Sequence, residues 1–240
     1  MAASILSKRT TAIAVISMLA ALHIVLSVPP GPVGFRRLSI VLEPLEGMIA
    51  GPMLGFGAAT IGWIGGRVLR PEGFYIENFF GFAEGMGALA AGLLTIKRWW
   101  AVVILYGALL IAFLVSPFAR QVPLWTLWDT YLGFLAIFPA AMVVKRTDFN
   151  QPQAKTLVPS IALITFVAVE LDAMMRLFML GDLGLYLLYG LPAGAWSTVF
   201  IAGAFQTPIE AVYSVIVATV VGGPVLIALR SAKILDWPMS

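Results

Sequence analysis

Apolar residues run through this chain in seven stretches, roughly 10 to 28, 42 to 66, 77 to 96, 99 to 116, 125 to 144, 157 to 180 and 197 to 229. Short groups of Pro, Gly and basic residues separate them. About 20 residues at a rise of 1.5 Å per residue cover the hydrocarbon core of a bilayer, so each stretch is long enough to cross. Trp99, Trp100, Trp125, Trp128 and Trp196 sit at the ends of stretches, where indole rings anchor helices among lipid headgroups. The pattern predicts an all-α, polytopic membrane helix bundle. It has six transmembrane helices and one additional apolar segment, hence six or seven spans, in a single domain over residues 1–240.

Composition strengthens this reading. Hydrophobic residues make up 60% of the 240 and charged residues 11%, with a mean hydropathy of +0.96. A soluble domain of this length has too little interior for that much apolar surface. The net charge of +3 comes from basic pairs in the loops, which is a mark of membrane topology and not of nucleic-acid binding. The absence of cysteine excludes disulfides, thiolate metal sites and thiol nucleophiles, and a single histidine, His23, excludes a histidine-rich metal centre within one chain. Lys8 and Arg9 ahead of an apolar run resemble a signal peptide in charge order. The run is long for one and ends in Pro29-Pro30-Gly31-Pro32, so it is read as a first membrane helix.

Orientation follows from the basic residues. Seven crossings with the N-terminus inside would leave nine of fourteen loop charges outside, against the positive-inside rule. If the second and third segments together make one net crossing, nine basic residues lie inside and Arg36, Arg37 and Arg120 outside; seven spans with the N-terminus outside give a similar nine against five. The favourable arrangements share a cytoplasmic loop at 145 to 155, a cytoplasmic C-terminus and an external loop at 181 to 196, in the plasma membrane.

Against this apolar background, Glu170, Asp172 and Arg176 in the sixth stretch and Gln206 and Glu210 in the seventh stand out. A charge at that depth costs about 2.5 kcal/mol or more and is normally kept for a ligand, an ion or a partner charge. With both helices oriented as above, Arg176 lies about 6 Å and Asp172 about 12 Å below the outer surface, with Gln206 at about 15 Å and Glu210 at about 21 Å. Each pair is spaced i,i+4 and occupies one helix face. The expectation is a shared outward-facing cavity. Its alternative is an Asp172–Arg176 ion pair with Glu210 hydrogen-bonded to a neighbouring helix. Arg36 and Arg37 are placed over that cavity or at the interface. Of Glu43, Glu46, Glu77 and Glu84, the first three sit near segment ends within reach of headgroups or water, and Glu84 is expected to be buried. Gly47, Gly51, Gly55 and Ala59, then Gly62 and Gly66, then Gly81 and Gly85 form small-residue stripes that allow close helix approach.

These residues also carry a family resemblance. A first helix with small residues and a Pro/Gly loop precede Gly51-Pro52-Met53-Leu54-Gly55-Phe56-Gly57 and Gly62-Trp63-Ile64-Gly65-Gly66. Phe79-Phe80-Gly81-Phe82-Ala83-Glu84-Gly85 follows, and Thr207-Pro208-Ile209-Glu210-Ala211 leads to Gly222-Gly223-Pro224. Over most of its length the chain resembles the substrate-binding S components of energy-coupling factor (ECF) vitamin transporters. The resemblance implies a six-helix bundle that captures a vitamin-like solute from outside. It also implies docking on a transmembrane coupling subunit served by two cytoplasmic ATPases. No GxxxxGK[ST] loop is present, so ATP hydrolysis falls to those partners. Small residues of the first helix face the coupling subunit in that family; here Ser17 and Ala21, flanked by Ala14, have the spacing, although Met18 breaks a second repeat. The extra apolar segment is a further departure, and it favours treating part of 42 to 96 as tilted, short or re-entrant, in line with the distribution of basic residues. Metal-importing relatives begin with a chelating histidine, whereas this chain begins Met1-Ala2-Ala3-Ser4, which points away from nickel or cobalt.

The expected substrate-binding residues are therefore Asp172, Arg176, Gln206, Glu210, Trp196, Arg36, Arg37 and Glu84. They suit a small polar organic molecule with a ring, stacked on Trp196 or Tyr186, with no cofactor or metal and lipid as surroundings. An arginine would hold a carboxylate or phosphate by a bidentate contact. The rival reading is a proton- or ion-coupled secondary transporter with Glu210 or Asp172 as carrier, though no inverted repeat is evident. An intramembrane enzyme would have to rely on His23 without a G-x-S-x-G elbow, and a purely structural subunit is the remaining class.

Overall fold

In a computed structural model, residues 2–33, 36–70, 78–151, 153–192 and 194–231 are described, with side chains from residue 10 onward. Glu77 of the sequence analysis lies outside this set, as does Lys233, one of the nine basic residues placed inside. The described chain is helical, without a β-strand. The principal helices are α1 (Ala2–Ser27), α2 (Glu43–Ala50), α3 (Pro52–Val68), α4 (Phe80–Thr95), α5 (Trp99–Val115), α6 (Trp128–Lys145), α7 (Ala154–Gly181), α8 (Ala195–Val217) and α9 (Gly223–Ser231). A π turn, Ala218–Gly222, makes α8 and α9 one continuous rod. Four helical stretches are long and apolar enough to cross a membrane: Thr10–Ser27, Leu124–Lys145, Ala154–Gly181 and Ala195–Ser231. Phe80–Thr95 and Trp99–Val115 are shorter apolar helices. This is compatible with a multi-pass membrane protein.

The second apolar stretch is not one helix, which corrects the sequence reading of 42 to 66 as a single segment. Gly51 has φ 89° and is followed by Pro52. A side chain is strained in that backbone region and the proline ring cannot continue the preceding helix, so the chain breaks there. It then folds back, because a Cβ on Gly55 would stand 2.7 Å from the Gly47 Cα. All eight residues of α2 are buried, including Glu43 and Glu46. The expectation that water or headgroups solvate those two carboxyl groups does not hold.

Glycines set the helix directions. A Cβ on Gly62 would lie 2.4 Å from the His23 Cβ and one on Gly66 would meet Ser27, so α1 and α3 run parallel in near backbone contact. Gly81 abuts Trp63, Gly85 abuts Thr60, and Gly92 abuts Pro52, so α4 returns antiparallel to α3. The small residues thus replace side-chain interdigitation with close backbone approach, the usual device in lipid. Antiparallel packing continues from α5 to α8. Tyr106 of α5 donates to the Thr130 carbonyl of α6 at 2.8 Å, Thr147 just after α6 meets Ser160 of α7 at 2.8 Å, and Gly223 beyond α8 faces Ile161 of α7.

The bundle consequently has two chemically distinct ends. One gathers the N-terminal end of α1, the Gly51 break, Lys97 and Arg98 after α4, Lys145 and Arg146 after α6, Lys155 of α7 and Arg230 of α9. The other gathers the α1–α2 connection, the 3-10 turns Phe118–Gln121 and Leu124–Leu127, and the connection from α7 to α8.

Candidate functional site

The α1–α2 connection does not run loosely over the bundle. Gly31 donates its N–H to the Arg36 carbonyl at 2.9 Å and Leu38 donates to Pro29 at 3.3 Å, which closes a small hairpin. A Cβ on Gly31 would stand 2.7 Å from the Arg36 carbonyl oxygen, so the turn needs glycine. The hairpin inserts Arg36, only 4% exposed, among α7 and α8. Its backbone N–H donates to Glu210 Oε1 at 2.8 Å, its Nε faces Glu210 Oε2 at 3.5 Å, and its Nη1 reaches Asp172 Oδ2 at 3.0 Å and the Val169 carbonyl at 3.3 Å.

Asp172 holds a second arginine. Arg176 Nε lies 3.0 Å from both Asp172 carboxylate oxygens, and its Nη2 donates to Glu84 Oε1 at 3.1 Å. The Arg176 guanidinium carbon stands 5.2 Å from the Trp63 ring and 5.1 Å from the Phe80 ring, in range of cation–π attraction to both. The i,i+4 ion pair expected from the sequence is present, but it is one link in a larger network. Glu84 also accepts from Ser39, at 3.1 Å, and lies 2.8 Å from His23 Nε2. The opposite His23 nitrogen lies 3.1 Å from both oxygens of Glu46. A carboxylate only accepts, and neutral imidazole has one donor. A ring flanked by two carboxyl groups therefore requires one extra proton, on the ring or on a carboxyl.

In front of this network is a cavity of about 400 Å³ at the end remote from the basic loops. Arg36, Arg37 and Arg176 contribute polar wall; Trp63, Phe80, Trp196 and Phe200 contribute aromatic wall; Asp129, Thr130 and Thr207 close another side. Asp129 is occupied by hydrogen bonds already, accepting the Thr130 N–H at 2.9 Å and the Thr207 hydroxyl. Trp196 is held edge-on to Phe118 and to Tyr186, with centroids 5.6 and 6.2 Å away. The volume falls within the usual range for small-molecule sites.

Of the eight residues expected to bind a solute, Arg36, Arg37, Arg176 and Trp196 lie on the cavity wall. Asp172, Glu84 and Glu210 stand behind it and hold the two buried arginines. Glu210 is thus a support for Arg36 and not the floor of the cavity. Gln206 is not part of the wall, and neither is Tyr186, whose place is taken by Tyr189. Asp129, Thr130, Thr207 and the aromatic rings of Trp63, Phe80 and Phe200 escaped the sequence reading, as did the role of His23 as a bridge between α1, α2 and α4. A polar side chain at a stretch boundary, such as Asp129, reads as an interfacial charge until its neighbours are known. Ala14, Ser17 and Ala21 lie on an exposed strip of α1. Among the described residues no group of three or more His, Cys, Asp or Glu is arranged to hold a metal ion.

No protein-family model, no curated protein and no solved structure matches this chain.

Proposed function

We propose that the chain is a membrane-embedded substrate-binding subunit, an S component of an ECF-type importer that captures a small vitamin-like organic solute from outside the cell. The observation that carries this reading is the cavity with aromatic and arginine walls at the bundle end opposite the basic loops. The positive-inside rule assigns the end bearing Lys8, Arg9, Lys97, Arg98, Lys145, Arg146, Lys155 and Arg230 to the cytoplasm, against Arg36, Arg37, Arg67, Arg70 and Arg120 at the other. On this assignment the chain crosses six times, through α1 and α4 to α8, with α2 and α3 as a re-entrant pair between the first two crossings. The extra apolar segment then adds no net crossing, the C-terminus is cytoplasmic, and the cavity faces outward.

Arg36 and Arg176 are fixed from behind by buried carboxylates, so these two wall groups are set in position before any ligand arrives, and pre-organisation of this kind favours tight capture. The chain has no nucleotide-binding loop, so energy comes from a coupling subunit and a pair of ATPases. The exposed Ala14, Ser17 and Ala21 strip is the proposed docking face for the coupling subunit.

A proton-coupled secondary transporter is the second reading. The observation in its favour is the placement of His23 between Glu46 and Glu84, an arrangement that requires one extra proton. Reconstituted vesicles separate the two. ATP-dependent uptake only when the coupling subunit and ATPases are present supports the first. Uptake by the lone chain under a pH gradient, indifferent to ATP, refutes it in favour of the second.

A further inference from the structure

The charged and indole groups left over on the cavity wall are not a mixture. Arg36 uses Nε and Nη1 within the protein, and Arg176 uses Nε and Nη2. Arg36 Nη2 and Arg176 Nη1 have no partner among the described residues. The Trp196 indole N–H is buried and likewise unpartnered, on a side chain only 6% exposed. Arg37 contributes a third guanidinium to the wall with no ion pair or hydrogen bond to a described residue. Every one of these groups is a donor. Among the described residues the only carboxylate on the wall is Asp129, which already accepts two hydrogen bonds. Moreover, Arg36 Nη1 and Arg176 Nε both lie 3.0 Å from the same oxygen, Asp172 Oδ2, so the two guanidinium groups adjoin each other at the wall.

We infer that the solute is an oxyacid, an organic anion whose carboxylate or phosphate is gripped by Arg36, Arg176 and Arg37 while its flat apolar body lies against the Trp63, Phe80 and Trp196 rings. The physical reason is the cost of leaving donors unpaired, greatest at the buried Trp196 N–H, which an acceptor-rich ligand relieves and a donor-rich one aggravates. Arginine matches the two oxygens of such a group through parallel N–H contacts. The carboxylates of Asp172, Glu84 and Glu210 do not oppose this: each sits behind a guanidinium and keeps it charged and aimed forward. A cationic amine, by contrast, finds one acid on the wall among the described residues, and that acid is already satisfied.

This inference rests on the reading of the cavity as a solute site, and one experiment distinguishes failure of either. The full-length chain, purified in mild detergent, is equilibrated with a small-molecule extract of cells that produce it, washed, and denatured to release what it holds. The eluate is analysed by mass spectrometry before and after methyl esterification, with a parallel extract treated with phosphatase. The expected result is an enriched aromatic or heteroaromatic acid. Gain of a methyl mass identifies a carboxylate, and loss of the species from the phosphatase-treated arm identifies a phosphate. Arg37→Gln should reduce its recovery at least tenfold, whereas Arg120→Gln, at an exposed position of the Phe118–Gln121 turn, should leave recovery unchanged. An enriched amine or uncharged compound, or recovery indifferent to Arg37→Gln, overturns the oxyacid assignment and leaves the binding subunit intact. No enriched compound at all, from a chain whose unfolding is cooperative, overturns the binding reading and the inference together.

Discussion

Asp172→Asn is the most informative single change, because one carboxylate supports both buried arginines. Its Oδ2 lies 3.0 Å from Arg36 Nη1 and from Arg176 Nε, and its Oδ1 accepts from Arg176 Nε at 3.0 Å. Asparagine preserves the volume but removes the charge and turns one acceptor into a donor facing a guanidinium. Hydrogen bonds to charged groups contribute about 1.5–3 kcal/mol each, and removing one partner of a buried ion pair costs about 3–5 kcal/mol. Glu210 and Glu84 remain to hold Arg36 and Arg176, which keeps the expected loss near the lower limit, about 3 kcal/mol. Unfolding of the detergent-solubilised protein, followed by tryptophan fluorescence in a denaturant titration, reads this directly. Affinity for the captured solute should fall at least tenfold, about 1.4 kcal/mol. The double variant Asp172→Asn/Arg36→Met removes one orphaned charge along with its partner and should be less destabilised than the sum of the two single changes. A single variant within about 0.5 kcal/mol of the parent, the range of ordinary surface substitutions, would refute the claim that Asp172 organises the wall.

Three further outcomes follow from local geometry. Gly62→Ala places a methyl 2.4 Å from the His23 Cβ and should destabilise the protein by about 1–3 kcal/mol through overpacking of α1 on α3. Gly57→Ala, on the same helix with open space around it, should instead stabilise by about 0.5–1 kcal/mol, and thermal unfolding of the pair checks the contrast. Tyr106→Phe deletes a buried hydroxyl that donates to the Thr130 carbonyl at 2.8 Å and should cost about 1 kcal/mol in the same assay without changing solute recovery. Ala21→Leu on the exposed strip of α1 should reduce co-purification of the coupling subunit while solute capture by the isolated chain stays at the parent level.

The elements that the sequence announced best are those whose signal is local. Apolar length marked α4 to α7 and the continuous rod of α8 and α9 within a few residues, and glycine spacing marked the contacts of α1, α3 and α4, because both properties belong to one helix at a time. The break at Gly51-Pro52 was less visible: glycine and proline are common in membrane helices, and only the backfolding of Gly55 on Gly47 shows that α2 reverses there. For the site, position in an apolar stretch was a good guide to which charges are buried, but not to which side of a wall they stand on. Asp172, Arg176 and Glu210 were legible as a set. Their division into arginines in front and carboxylates behind depends on Arg36, which arrives from a loop 130 or more residues away in sequence. His23 carried no pattern of its own. Its meaning comes from Glu46 and Glu84, each on a different helix.

Because the natural sequence has no cysteine, a single introduced thiol reports on the cavity without background. Gly203 lies on the cavity wall and a Cβ there meets nothing within 4 Å, so Gly203→Cys seats a thiol in the cavity with little disturbance. Labelling of intact cells with a membrane-impermeant maleimide should modify Gly203→Cys from outside, and addition of the small-molecule extract should protect it. Modification only after the membrane is opened, or labelling that the extract does not slow, would contradict an outward-facing solute site.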